Sequence, residues 1–261
     1  MSKTTDGATL AQIKSACREL RLPSIGARTE ATASEAAREH AGHLDFLAAL
    51  LDFELEDRAE RRRARRIADA RFPRLKTLDD FQFADAPKLS ATLIRELATA
   101  SFVDKAENVI LIGDSGTGKT HLATGIGIAA CMQARKVRFT TTAALVNELV
   151  EARDQKGLSR VVARYARIDL LVLDELAYVP LNPAEAELLF QVLDERSETR
   201  SIVLTTNLPF GEWTNIFPEP RLCKAVVDRL TFHAHIIETG NDSWRFKQTV
   251  ERRKGGTKKS A

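Results

Sequence analysis

The chain has 261 residues, a formal net charge of +3, 44% hydrophobic residues and 29% charged residues. That length suits one α/β domain with a smaller appendage, and so small a net charge excludes a polyelectrolyte reading of the whole molecule. The apolar runs are a few residues long, too short for a membrane span; the start, MSKTTDGATL, has no apolar secretory core; and Cys17, Cys131 and Cys223 lack metal-type spacing and read as free thiols of a reducing cytoplasm.

Residues 1–75 contain no buried strand pattern. A short helix is expected over Leu10 to Leu20, followed by Pro23 and Gly26. Leu44, Leu47, Leu51 and Leu55 recur at spacings of three and four, the mark of an amphipathic helix. That helix is expected to continue through a run of arginines to Phe72, ahead of Pro73. The segment LKTLDDFQFADAP, 75–87, reads as a linker.

From residue 88 helices and strands alternate. KLSATLIRELATASFV reads as one helix and NVILIG as a buried strand. A helix follows from Lys119 to about Ala134, then the strand KVRFTT and the helices AALVNELVEARD and RVVARYA. IDLLVLDE, 168–175, is a strongly apolar strand. NPAEAELLFQVLDERSE is a helix with Pro183 at its start, SIVLTTN a strand, EPRLCKAVVDRL a helix and HAHIIET a fifth strand. His233 and His235 read as strand residues in preference to metal ligands. Repeated βα units predict a parallel sheet covered on both faces. ERRKGGTKKSA, 251–261, lacks large apolar residues and reads as a disordered basic tail.

GDSGTGKT, 113–120, fits the phosphate-loop pattern G-x-x-x-x-G-K-[ST] between a strand and a helix. Gly113, Gly116 and Gly118 permit close backbone approach, so Asp114, Ser115 and Thr117 complete a cradle of N–H groups at a helix N-terminus. Lys119 reaches the β- and γ-phosphates, Thr120 offers a hydroxyl to Mg²⁺, and His121 closes the motif. LLVLDE sets Asp174 and Glu175 at a strand's carboxyl edge. Asp174 is the expected Mg²⁺ partner and Glu175 the expected base for an attacking water, or else an acid at a helix start. Asn207 ends the next strand; if that strand lies between the first and third, Asn207 faces the γ-phosphate, with Thr205 and Thr206 as alternates. Arg229 precedes the last strand, where an arginine can serve a neighbouring subunit's site. Arg221 is its rival, and a surface ion pair is the plainer reading.

With these elements in order the chain resembles the IstB-like transposition-helper ATPases, relatives of the DnaC-type helicase loaders in the AAA+ superfamily. The resemblance runs from FLAALLDFELEDRAERRRARRIADARFPRLKTLDDFQF through GDSGTGKTHLA, DLLVLDELAY, TTNLPFGEW and VVDRL. It departs at Ala177, usually glycine, and at Gln82, usually acidic. The resemblance implies an α/β fold: a P-loop AAA+ ATPase core with a five-stranded parallel sheet (76–250), preceded by a small all-helical DNA- or partner-binding domain (1–75). It also implies ATP and Mg²⁺ as cofactors, a homo-oligomer on double-stranded DNA, recruitment of a transposase, and a short or missing helical lid. NDSWRF resembles a family C-terminal motif, which makes Arg245 a candidate nucleotide sensor.

In RAERRRARRIADARFPR, Arg58, Arg62, Arg65 and Arg66 share a helical face. Glu54–Arg58 and Asp57–Arg61 pairs can absorb part of this charge. The acids run out before Arg62 to Arg66, and arginine suits phosphate contacts, which points to duplex backbone binding without base readout. A replicative-helicase loader is the alternative function. A small-molecule kinase is a third; it would need a substrate pocket and lid that no segment suggests.

Overall fold

The computed structural model describes residues 2–177 and 180–240; the NDSWRF motif, Arg245 and the basic tail lie outside the described residues. Backbone contacts divide the chain into two compact units, the first ending at Arg65 and the second starting at Arg66. Among the described residues no helix is long and apolar enough to cross a membrane.

The first unit holds α1 (Ser2–Glu19), α2 (Pro23–Glu39) and most of α3 (His43–Ala70). Helix α2 is absent from the sequence reading, which takes Pro23 and Gly26 as a break. Pro23 instead occupies the first turn, where its missing N–H costs nothing. Gly26 is where α2 meets α1: a Cβ there would lie 3.1 Å from the Cys17 Cβ. Cys17, Ile25 and Leu50 form a small core, with Ile13, Leu22 and Phe46 against it. The stripe Leu44, Leu47, Leu51 and Leu55 faces outward, with Leu44 80% exposed. The inward side of α3 is the other one, carrying Phe46, Leu50 and Glu54.

Glu54 is 4% exposed and accepts the Ser24 N–H at 2.9 Å, the Ile25 N–H at 3.3 Å and the Arg58 Nε at 2.9 Å. It thereby caps the start of α2 from α3. Ser24 Oγ donates to Asp57 Oδ2 at 2.5 Å, and Arg58 Nη2 donates to the Arg21 carbonyl at 2.6 Å.

In the second unit β1 (Asn108–Gly113), β2 (Val137–Thr141), β3 (Leu170–Asp174), β4 (Ser201–Thr206) and β5 (Ala234–Gly240) form one sheet in the order β2-β3-β4-β1-β5. Every pairing is parallel, as the βα alternation predicts. Side chains alternate between two cores: Leu171, Leu173, Ile202 and Leu204 enter one, Leu170, Val172 and Val203 the other. Burial on both faces is why these strands read as unbroken apolar runs.

Helices α7 (Thr142–Asp154), α8 (Leu158–Ala166), α9 (Pro183–Arg196) and α10 (Pro220–Thr231) contribute to the first of these cores, and α6 (Lys119–Met132) to the second. The helix expected over 88–103 is two, α4 (Ala91–Ala98) and α5 (Ser101–Asp104), separated where Ala100 turns left-handed at φ 58°.

The linker expected at 75–87 is packed structure. Leu78, Phe81 and Phe83 lie against the second core together with Phe72 and Ile67. Gly125 and Gly127 of α6 make room for it: a Cβ at Gly125 would lie 2.6 Å from Leu78 Cδ2, and one at Gly127 2.8 Å from Phe72 Cε1. The contacts therefore change at Arg65 and Arg66, within α3, where the composition places the change at 75.

At the amino ends of β3 and β4 the fully buried Arg196 donates to the carbonyls of Tyr165, Ile168 and Ser201 at 2.5, 2.9 and 2.7 Å. Burial pushes its pKa down to about 9, which leaves it charged at neutral pH.

Burial alone would raise the Glu54 pKa, but the Arg58 guanidinium and the Ile25 and Ser24 amides outweigh it and hold the carboxyl below its ordinary 4.5. A carboxylate with a depressed folded pKa stabilises above its unfolded pKa, and that contribution is lost as pH falls through the folded value. Followed by NMR, the Ser24 and Ile25 amides are expected to titrate together with a midpoint below 4.5 and to lose that titration in Glu54→Gln. A midpoint at or above the ordinary value refutes the cap.

Candidate nucleotide-binding site

Strand β1 ends at Gly113 and α6 begins at Lys119, so the predicted phosphate loop spans the gap between a central strand and a helix N-terminus. Gly116 and Gly118 adopt φ 87° and 94°, backbone that a side chain strains. A Cβ on Gly118 would also lie 2.7 Å from the Phe81 ring.

The loop is fastened to β5. Asp114 N–H donates to the Gly240 carbonyl at 3.2 Å, and the Thr117 and Thr239 hydroxyls meet at 2.7 Å. Thr117 Oγ1 also lies 2.9 Å from the Asp114 carbonyl. A Cβ on Gly113 would collide with Thr239 Oγ1. Nothing in the local motif signals this edge-strand partner, which comes from 122 residues away.

Lys119 Nζ donates to the carbonyls of Gly113 and Asp114 at 2.6 and 2.8 Å. The ammonium thus sits over the cradle it is predicted to serve. His121 belongs to the motif in sequence but turns elsewhere: its Nε2 lies 2.8 Å from the Thr77 carbonyl and its ring 5.2 Å from Phe81. Desolvation lowers its pKa and outweighs the opposing Thr77 carbonyl, with smaller contributions from Lys76, which lowers it, and Asp80, which raises it. Thr77 and Asp80 close a small turn of their own, Asp80 Oδ2 accepting from the Thr77 N–H at 2.9 Å and from its hydroxyl at 2.8 Å. The T-x-x-D pattern of that turn is visible in the sequence, although the linker reading passes over it.

Thr120 and Asp174, assigned separately to a metal, come together. Thr120 Oγ1 lies 3.1 Å from both Asp174 carboxylate oxygens. Asp174 is 4% exposed and is further held by Thr205, whose Oγ1 donates to Oδ1 at 2.5 Å. The Thr142 hydroxyl donates to the Asp174 carbonyl at 3.3 Å. A hydroxyl beside a buried carboxylate, at the mouth of an N–H cradle, is the hard oxygen set that Mg²⁺ prefers, so these residues fit that ion.

Glu175 follows at φ 60° with its side chain exposed. Its N–H donates to Thr205 Oγ1 at 2.9 Å. Asn207 is exposed just past β4, and β4 lies between β3 and β1, the strand placement on which its predicted role depends.

Arg229 lies elsewhere. The Asn108 amide, at the first residue of β1, contacts its carbonyl at 3.4 Å. That puts Arg229 at the opposite end of the six-residue β1 from the loop, roughly 17 Å away at 3.3 Å per residue. Its side chain pairs with Asp194 at 2.9 Å and Asp228 at 3.3 Å, which raises its pKa, Asp194 being the main cause. Arg221, at the start of the same helix, is exposed and has no ion-pair partner among the described residues.

Of the α3 arginines, Arg58 is taken up by Glu54 and the Arg21 carbonyl. Arg61 pairs with Asp57 at 2.7 Å and Arg63 with Glu60 at 3.6 Å. Arg62 is exposed without an ion-pair partner among the described residues, Arg65 is exposed, and Arg66 is half-buried.

The family profile described as IstB-like ATP binding protein matches residues 15–252. A protein of Sinorhizobium fredii, named as an insertion sequence ATP-binding protein, is 41% identical over 89% of this chain and 78% of its own length. A protein of Pseudomonas aeruginosa, named as an insertion sequence IS21 ATP-binding protein, is 35% identical over 91% of this chain and 88% of its own. Among solved structures, AMPPCP-bound DnaA from Aquifex aeolicus aligns with a TM-score of 0.55 and 20% identity, over 70% of this chain and 55% of that one. The DnaC helicase loader aligns with a TM-score of 0.51 and 16% identity, over 62% of this chain and 95% of that one. At these identities the two structures speak to the fold, that of P-loop AAA+ proteins.

A hydrogen bond to a charged group is worth about 1.5–3 kcal/mol, and tenfold in affinity corresponds to about 1.4 kcal/mol. Lys119→Ala is therefore expected to weaken ATP binding by on the order of 100-fold or more, measured by calorimetry or fluorescent-nucleotide titration. Undiminished affinity removes the phosphate-loop assignment.

Proposed function

The chain belongs to the IstB-like ATP-binding family, and from that premise we propose that it is an ATP-hydrolysing helper of transposition. It assembles as a homo-oligomer on target duplex DNA in the cytoplasm and recruits a transposase. The observation that supports the hydrolytic part is the Thr120 hydroxyl of α6 lying 3.1 Å from the buried Asp174 carboxylate beside the loop, with Glu175 and Asn207 next in sequence after the adjacent strands β3 and β4.

In this reading Lys119 exchanges the Gly113 and Asp114 carbonyls for phosphate oxygens. Thr120 and Asp174 would hold Mg²⁺, which when bound would offset negative charge that develops on the phosphates during transfer. The Glu175 carboxylate accepts a proton from the attacking water, and Asn207 orients that water. The water oxygen bonds to the γ-phosphorus and ADP leaves. Arg229 serves a neighbouring subunit, which agrees with its distance from its own loop. The insertion-sequence names of the relatives, one of them IS21, support transposition. The DnaC likeness supports a shared fold and does not by itself favour a helicase-loading role.

For DNA, Arg62, Arg65 and Arg66 contact phosphates along α3, while Arg58 secures the helix to the Arg21 turn. Phosphate contacts position a protein without reading sequence.

Glu175→Gln is expected to bind ATP yet turn over very slowly and to accumulate DNA-bound oligomers. Arg229→Ala is expected to bind ATP and lose about 10³-fold or more in turnover, the range of arginine fingers, with part restored on mixing with Lys119→Ala subunits. Steady-state ATPase assays with duplex DNA decide both: near-normal turnover of Glu175→Gln rejects it as the base, and failed complementation rejects service to a neighbour.

Replacing Arg62 and Arg66 by glutamine is expected to make the plot of log DNA affinity against log salt shallower by about two units per engaged subunit, equally for unrelated sequences. An unaltered slope rejects the DNA role of these arginines.

A further inference from the structure

We propose that Thr205 is a positioning residue whose single hydroxyl sets the metal-side carboxylate and the hydrolytic carboxylate in fixed relation; this rests on the reading of Asp174 and Glu175 given above. Thr205 is 1% exposed, on the strand between β3 and β1. Its Oγ1 is used in both directions: it donates to Asp174 Oδ1 at 2.5 Å and accepts the Glu175 N–H at 2.9 Å.

The arrangement answers a specific deficit. The pairing of β3 with β4 ends at Leu173 opposite Leu204. The next residues therefore need other partners as the chain leaves the sheet. Glu175 is left-handed at φ 60°, a conformation sparsely populated by non-glycine residues. Thr205 answers with both its polar atoms: the hydroxyl takes the Glu175 N–H, and the carbonyl takes the Leu176 N–H at 3.0 Å. The turn that aims the Glu175 side chain is thus pinned to the atom that also orients Asp174.

A hydroxyl is required for this double use. Valine matches threonine in shape and strand preference but can neither donate to Asp174 nor accept from Glu175. Serine keeps both functions and loses a methyl group. A merely structural threonine would be replaced by valine at a cost in stability alone; a positioning threonine would alter metal dependence and turnover, and serine would recover them.

The test measures ATP affinity with EDTA, ATP affinity across a Mg²⁺ titration, and turnover, for wild type, Thr205→Val, Thr205→Ser and Glu175→Gln. Partners that orient metal ligands typically carry 10–100-fold of metal affinity or activity. The expected result is that Thr205→Val keeps the wild-type affinity in EDTA, loses about 10–100-fold in the Mg²⁺-dependent gain and in turnover, and that Thr205→Ser restores both. A valine variant with wild-type Mg²⁺ dependence and turnover overturns the inference, as does a serine variant as impaired as valine. Should the valine variant not accumulate as folded protein, Thr205→Ala is read in the same assays by the same criteria. Glu175→Gln separates the two levels. If it stalls while Thr205→Val behaves as wild type, this inference fails and the hydrolytic reading stands. If it turns over normally, the hydrolytic reading fails, whatever the Mg²⁺ arm shows for Thr205.

Discussion

A carboxylate taken out of water must be repaid in hydrogen bonds, and Asp174 is where this chain meets that requirement. At 4% exposure it accepts from Thr120 on α6 and from Thr205 on β4, while its carbonyl accepts from Thr142 at the start of α7. One residue thus gathers three elements that are distant in sequence, two through its carboxylate and one through its carbonyl. The strand order brings them within reach: β4 must lie beside β3, with the loop at the end of β1 one strand further on. The acid defines both the geometry of the site and the topology that can accommodate it.

Much of the second unit is legible in the sequence because its determinants are local. Strands buried on both faces announce themselves as apolar runs, and the glycine spacing of the loop follows from backbone geometry within eight residues. Determinants that act across the fold are not legible. Thr205 and Asp174 are 31 residues apart, and nothing near either one predicts the bond. Thr239 reaches the loop from the last strand in the same way.

The first unit is harder to read, for a different reason. Helix α2 is built from alanine, threonine and charged residues, with little apolar period to reveal it. Helix α3 carries apolar residues on two sides, and the more regular leucine stripe is the exposed one. Its buried side includes Glu54, which in sequence looks like one more solvated acid. Capping by a residue on another helix cannot be seen from either helix alone.

Arg229 is not an idle side chain in the isolated subunit; it already has Asp194 and Asp228 as counter-ions. On the proposed reading, docking against a neighbour is therefore a competition between anions, in which a nucleotide phosphate displaces an aspartate of the arginine's own chain. The favourable term is a difference between two attractions, so it is small and depends on how much negative charge the neighbour presents. On that same reading, once the terminal phosphate has departed the aspartates become the stronger partners, which favours release of the neighbouring subunit.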